Sequence, residues 1–321
     1  MMWVLVLLTV LAAAGWATLQ WADLREAGIE ARYPPIGEMV QVGDRTVHVI
    51  VEGEGPDLVL IHGAGGNARD FSFRFTDQLK DRYRVFSVDR PGLGWSDRTR
   101  DGLNSAFTAD AESAAEQASL IAAAVRKLGA DKPLVLGHSY GGAVAMAWAL
   151  EEPAAGIVLL SGATMPWPGG LDPYYKIFGS PLGSGLGAPL VSAFVPRARV
   201  EQAVKGVFTP TPVTEGYFTG AAIPLATRTD TFRANARQVR NLFPQVVEMS
   251  KRYPGVTLPV EVLHGTADTT VSASIHAEPI TALLPNANLT LIEGVGHAPH
   301  HVAPEPVIAA IDRLAERAGL R

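Results

Sequence analysis

Hydrophobic and polar positions along the chain fall into three regimes. Trp3 to Ala22 carry no charge. A helix of that length rises about 30 Å, the hydrocarbon thickness of a bilayer. From Glu38 the pattern becomes a series of short runs. Glu38–Val42 and Thr46–Glu52 alternate on either side of Gly43-Asp44, which predicts an antiparallel hairpin. The runs Asp57–Ile61, Tyr83–Val88, Pro133–Leu136, Ile157–Leu160, Leu258–Leu263 and Ala287–Ile292 are rich in Val, Leu and Ile and show little alternation. That pattern predicts strands buried on both faces, as in a parallel sheet covered by helices. Helical candidates lie among them, notably Thr108–Leu128, which stops at Gly129, and Pro304–Ala318. A hairpin followed by βα units predicts an α/β fold with a mainly parallel twisted sheet flanked by helices.

The third regime is residues 162–245. This stretch holds 10 of the 23 prolines and 10 of the 24 aromatic residues, and it interrupts the strand series between Leu160 and Leu258. Ordered domains rarely carry so long a structureless insertion. It is therefore expected to be a helical cap over the carboxyl edge of the sheet, where open α/β sheets bind ligands. The expected division is a membrane or signal segment over 1–22, a linker over 23–37 ending at Pro34-Pro35 and Gly37, a core over 38–161 and 246–321, and the cap over 162–245.

The N-terminal segment has three readings. As an uncleaved single-span anchor it would carry Trp3 and Trp21 toward the interfaces, with Trp16 deeper than an ideal belt residue. As a signal peptide it would be cut near Ala12-Ala13-Ala14-Gly15 and the body secreted, but no Lys or Arg precedes the apolar run, where a signal peptide wants positive charge. As a buried core helix it would be apolar all round. The anchor reading makes the membrane a partner of this chain.

Composition narrows the chemistry. Hydrophobic residues make up 47% and charged residues 18%, which supplies a core and argues against disorder. The formal net charge of −5 offers no overall basic field, so nucleic acid is not an expected partner. The absence of cysteine removes a disulfide framework, a thiol nucleophile and a cysteine-ligated zinc site.

Gly137-His138-Ser139-Tyr140-Gly141 fits G-x-S-x-G between an apolar run, PLVL, and an Ala-rich helical stretch, Gly142–Leu150. The glycines relieve crowding at a sharp strand-to-helix turn, so that Ser139 projects its hydroxyl. A serine needs a base to take its proton, and the base needs an orienting acid. His297, in Gly294-Val295-Gly296-His297 after the last predicted strand, is the leading base; His300 and His301 are rivals. Asp268, in His264-Gly265-Thr266-Ala267-Asp268, is the leading acid; Asp172 is the alternative. His264 is expected to hold its loop by hydrogen bonds. The glycines of His62-Gly63-Ala64-Gly65-Gly66-Asn67 leave amides uncovered, and the amides of Ala64 and Tyr140 are the expected pair for an oxyanion.

HGAGG, DRPGLGWS, GHSYGG, HGTAD and GVGH occur in that order, and together they resemble the α/β-hydrolase superfamily over roughly residues 38–318. The order Ser139, Asp268, His297 is the one that family uses. The resemblance implies that Asp89–Asp97 is a structural turn supporting the nucleophile loop. Epoxide hydrolases and haloalkane dehalogenases carry aspartate where this chain has Ser139, and the His138 and Tyr140 flanks do not fit a proline iminopeptidase.

The implied function is a serine hydrolase that cleaves a carboxylic ester through an acyl-enzyme, with no metal or organic cofactor. Its expected partner is a small, apolar ester or acyl substrate. Trp167, Tyr174, Tyr175, Phe178, Tyr217 and Phe218 of the cap are expected to wall the acyl pocket. The same triad serves carbon–carbon bond hydrolysis or a cofactor-free perhydrolase, and a catalytically silent binding module on the same fold is a third reading.

Overall fold

The computed structural model describes all 321 residues. Eight strands form one sheet in the spatial order β1-β2-β4-β3-β5-β6-β7-β8, where β1 is Glu38–Val42, β2 Arg45–Glu52, β3 Asp57–Ile61, β4 Arg84–Val88, β5 Leu134–His138, β6 Gly156–Leu160, β7 Val260–Gly265 and β8 Ala287–Ile292. β1 pairs antiparallel with β2, and β2 antiparallel with β4; all other pairs are parallel. The hairpin turns at Gly43 with φ 62°, a left-handed conformation that glycine adopts without steric cost.

Two apolar layers explain the unbroken runs. Val59, Ile61, Val135, Ile157, Leu159 and Val262 face one layer, together with helices α3 (Ala114–Lys127) and α4 (Tyr140–Glu151). Their neighbours Leu58, Leu60, Leu134, Leu136, Val158 and Leu160 face the other, together with the C-terminal helix Pro304–Arg317. Side chains alternate, yet both faces are covered, so the central strands are apolar at nearly every position, buried Ser87 and Glu261 being exceptions. Ala287–Ile292 departs from that expectation. As the edge strand β8 it is fully buried only at Ile292. α3 begins later than the sequence suggests, at a capping box in which Ser113 accepts from the Glu116 amide and Glu116 accepts from the Ser113 amide.

Between β6 and β7 lie α5 (Pro173–Phe178), α6 (Ala188–Phe194), α7 (Arg197–Phe208), α8 (Tyr217–Gly220), α9 (Thr229–Arg240) and α10 (Leu242–Ser250). α10 crosses the expected cap boundary at 245. Its Leu242 and Val246 are buried in the same layer as Trp148 and Tyr253.

The stretch expected as a linker is largely helical. α1 runs unbroken from Met2 to Arg32, stopping just before Pro34-Pro35. Residues 23–32 are mostly good helix formers, and their charged side chains find partners far along the chain. Glu26 accepts from Ser192 Oγ at 2.7 Å and from the Thr229 amide at 2.9 Å, while Glu30 accepts from Arg228 at 2.9 Å. Ala22 and Tyr33 are buried, Tyr33 against Ala222 and Leu225. The helix is thus docked onto the cap by its C-terminal third, while Met2 to Ala17 lie exposed. Replacing Glu26 by alanine removes the acceptor for three donors. Glu26→Ala is expected to lower stability by about 1–3 kcal/mol, read as a lower melting temperature of the detergent-solubilised chain.

Candidate active site

The site is built at the carboxyl edge of the sheet, where β5 turns into α4. Ser139 occupies the turn with φ 54° and ψ −118°. A non-glycine residue held there stores about 1–3 kcal/mol, and the surrounding packing must over-determine it. That packing is tight. A Cβ at Gly137 would meet the Gly141 carbonyl, a Cβ at Gly141 would meet the Ile61 carbonyl, and one at Gly142 would lie 2.7 Å from Gly162 Cα. Only glycine lets the backbones approach so closely, and the serine is pushed out over the edge.

His297 and Asp268 arrive from the loops after β8 and β7. Those loops are stitched together: Thr266 N donates to the Ile292 carbonyl and Ala267 N to the Val295 carbonyl, each at 3.0 Å. A Cβ at Gly265 would collide with Val295 O. His297 Nδ1 lies 2.7 Å from Asp268 Oδ2, and His297 Nε2 lies 2.8 Å from Ser139 Oγ. All three residues are buried. Burial alone would push the Asp268 carboxyl up, but hydrogen bonds from His264, His297 and the Val271 amide outweigh it and hold the group well below the usual carboxylate range. An ionised carboxylate only accepts, so the proton on His297 sits on Nδ1 and the Nε2 lone pair faces the serine hydroxyl. His264 Nε2 donates to the Val271 carbonyl at 2.7 Å and lies 3.1 Å from Asp268 Oδ2. It therefore touches the acid directly besides tying down the loop.

The glycine loop after β3 passes beside the serine. A Cβ at Gly63 would stand 3.0 Å from Ser139 Cβ. Tyr140 opens α4, so its N–H has no partner in the helix's own ladder. Two supports hold the loop. His62 Nε2 accepts from the Arg90 amide at 3.0 Å, and Arg90 Nη2 donates to the Gly63 carbonyl at 3.2 Å. The Gly65 amide donates to Asn235 Oδ1 of α9 at 2.7 Å, which joins the cap to the loop. Asn235 gave no signal in the sequence, because nothing local distinguishes it from an ordinary helix-surface amide.

A cavity of about 480 Å³ opens on Ser139 and His297, with Ala64 in its wall. Of the six cap aromatics named from the sequence, Tyr174, Tyr175, Phe178 and Tyr217 line it. Trp167 and Phe218 do not. Trp167 packs edge-on against Phe243 with ring centroids 4.9 Å apart, and Phe218 lies under the Arg197 guanidinium, 4.6 Å away. Trp167 is used in packing, and Phe218 faces a second cleft beside Arg197. Aliphatic side chains the sequence reading passed over, Val191, Val204 and Val207 among them, supply wall in their place. Asp172 is the N-cap of α5, accepting from the Tyr174 amide, and is no partner of His297.

His300 and His301 turn away from the serine toward Asp70. Asp70 Oδ1 accepts from Tyr217 at 2.6 Å and from His301 at 2.9 Å. The ligating atoms of Asp70, His300 and His301 lie within 4.8 Å of one another, the one group of side chains spaced to hold a metal ion.

Residues 58–310 match the model of the alpha/beta hydrolase family. An uncharacterized protein of Mycobacterium tuberculosis is 27% identical over 287 residues, covering 84% of this chain and 80% of that one. Among solved structures, an esterase from Rhodococcus sp. ECU1013 superposes with a TM-score of 0.64 at 23% identity, over 88% of this chain and 98% of its own. A bacterial membrane phospholipase A superposes with a TM-score of 0.65 at 21% identity, over 98% of each chain.

The site and its surroundings bury neutral imidazoles. Burial holds His62, His276 and His300 down to about 4, and His138 well below its usual range. Unfolding frees these rings to take protons near pH 6.5, so the unfolded state binds more protons below that pH. Their contribution to stability is complete above about pH 6.5 and is lost as pH falls toward about 4. Thermal denaturation is expected to show a falling melting temperature across that window; a flat profile would contradict neutral burial.

Proposed function

The chain belongs to the alpha/beta hydrolase family, and from that premise we propose that it is a membrane-anchored serine hydrolase of carboxylic esters. The observation that carries this reading is the unbroken hydrogen-bonded line from Asp268 through His297 to Ser139. Ser139 Oγ attacks the acyl carbonyl as His297 Nε2 takes its proton. Asp268 holds the imidazole tautomer and stabilises the imidazolium that forms. The amides of Ala64 and Tyr140 donate to the oxyanion; one such donor typically lowers the barrier by about 3–4 kcal/mol. His297 then protonates the leaving alcohol. A water, deprotonated by the same imidazole, attacks the acyl-enzyme, and the acid leaves with Ser139 restored.

The ester reading is supported by the cavity, whose walls are mainly apolar side chains beside the serine, suited to an acyl chain. The Rhodococcus structure with the same fold is an esterase. The anchor reading is supported by the continuity of α1 with the docked body and by a mean hydropathy of 2.1 in its most apolar window. The membrane phospholipase A that superposes over nearly the whole chain is in keeping with both.

A fluorophosphonate probe is expected to label the unsubstituted chain and not Ser139→Ala; labelling that survives the substitution would place the nucleophile elsewhere. Asp268→Asn is expected to lower kcat on p-nitrophenyl esters by about ten-thousand-fold, because it misdirects the imidazole proton while leaving the shape intact. Protonated His297 cannot accept the serine proton, so the rate falls on the acid side of neutrality. A rate that stays flat from about pH 8 to about pH 5 would contradict His297 as the base.

A further inference from the structure

We propose that a cleft between α1 and the cap binds the phosphate of an acyl-chain lipid, making phospholipids the substrate class of the site beside it. The cleft, about 250 Å³, is lined by Arg25 and Arg32 from α1 and by Arg197 from α7, with no Asp or Glu among its lining residues. Three guanidinium groups, of which only Arg197 holds a carboxylate and that one outside the lining, form a site for a phosphate, whose oxygens accept paired N–H donors.

The arginines are free to serve it. Arg25 donates only to the Val195 carbonyl, at 3.2 Å. Arg32 has no carboxylate partner and lies 5.5 Å from the centre of the Tyr33 ring. Arg197 holds Glu201 one turn away in an exposed pair, a weak and salt-screened contact. Of the acids of α1, Glu26 is engaged by Ser192 and Thr229 and Glu30 by Arg228, and Asp23 lies outside the cleft lining.

Two further observations identify a lipid. First, Val195, Val200 and Thr227 line both this cleft and the cavity that holds Ser139, so the basic and apolar compartments adjoin. Arg199, in the cavity wall, donates only to Gln202, at 3.4 Å. A molecule with a phosphate at one end and an acyl chain at the other uses both compartments; inorganic phosphate uses one. Second, Arg25 stands three residues beyond Ala22, where the uncharged run ends. That is a rise of about 5 Å, which sets it in the headgroup layer of a bilayer spanned by α1. The inference rests on the anchored ester-hydrolase reading for its chemistry, but the binding can be tested without turnover.

The test uses the full, detergent-solubilised chain carrying Ser139→Ala, titrated calorimetrically with lysophosphatidylglycerol, with monoacylglycerol of the same chain length, and with inorganic phosphate. The lysophospholipid is expected to bind about tenfold tighter than the neutral lipid. Arg32→Ala with Arg197→Ala is expected to bring that ratio to near one. The paired Lys substitutions, which keep the charge and lose the planar fork, are expected to fall between and to guard against misfolding of the alanine variant. Equal affinity for the two lipids, or a preference that survives the alanine pair, overturns the proposal. Inorganic phosphate binding as tightly as the lysophospholipid overturns the lipid source. Hydrolysis of monoacylglycerol and phosphonate labelling by the unsubstituted chain read the esterase proposal separately. Should those fail while the lysophospholipid preference holds, the cleft stands and the esterase chemistry falls.

Discussion

Ser139 is held in a backbone conformation that serine does not choose. Its φ of 54° is enforced by three glycine contacts in which backbone touches backbone, at Gly137, Gly141 and Gly142. The geometry of the site follows from that constraint. The turn lifts the hydroxyl above the sheet edge, starts α4 with a free amide at Tyr140, and leaves room for the glycine loop after β3 to pass alongside. A relaxed turn would place the same three side chains in one neighbourhood without aligning them. The strain is carried by a core layered on both faces of the sheet.

The electrostatics of the line from Asp268 to Ser139 are set by who can donate. Asp268 is buried among donors and stays ionised, so it fixes the proton on His297 Nδ1 and leaves Nε2 basic toward the serine. The Nε2–H of His264 is shared between the Val271 carbonyl and the same carboxylate oxygen. The surrounding histidines are kept neutral by burial, so they add no positive charge that would oppose formation of an imidazolium at His297.

Much of this was legible in the sequence because it is written in local chemistry. A strand followed by G-x-S-x-G, a strand followed by G-x-G-H, and Asp268 four residues past the His264 that nearly ends its strand each place a reactive group at a strand end, and parallel strands put those ends on one edge. What was not legible depends on contacts between distant segments. Residues 23–32 look like a polar linker, yet their charges close onto Ser192, Arg228 and Thr229, far along the chain. Trp167 and Phe218 have the same composition signal as Tyr174 and Phe178. Trp167 stands in the loop before α5 and packs on Phe243, while Phe218 of α8 lies against Arg197 and away from the cavity that Tyr217 lines, and composition records neither. Asn235 and the arginines around the second cleft gain their meaning from docking alone.

Catalysis at this site requires one alignment: serine hydroxyl, imidazole and two amides converging on a single reacting carbon. A crystal structure of the chain inactivated by an alkyl phosphonate reads that alignment directly, because phosphorus imitates the tetrahedral centre. Expected are a covalent bond to Ser139 Oγ, the phosphoryl oxygen about 3 Å from the amides of Ala64 and Tyr140, and the alkyl chain in the apolar cavity. Phosphorus bonded to any other residue, or a phosphoryl oxygen turned away from both amides, would contradict that alignment.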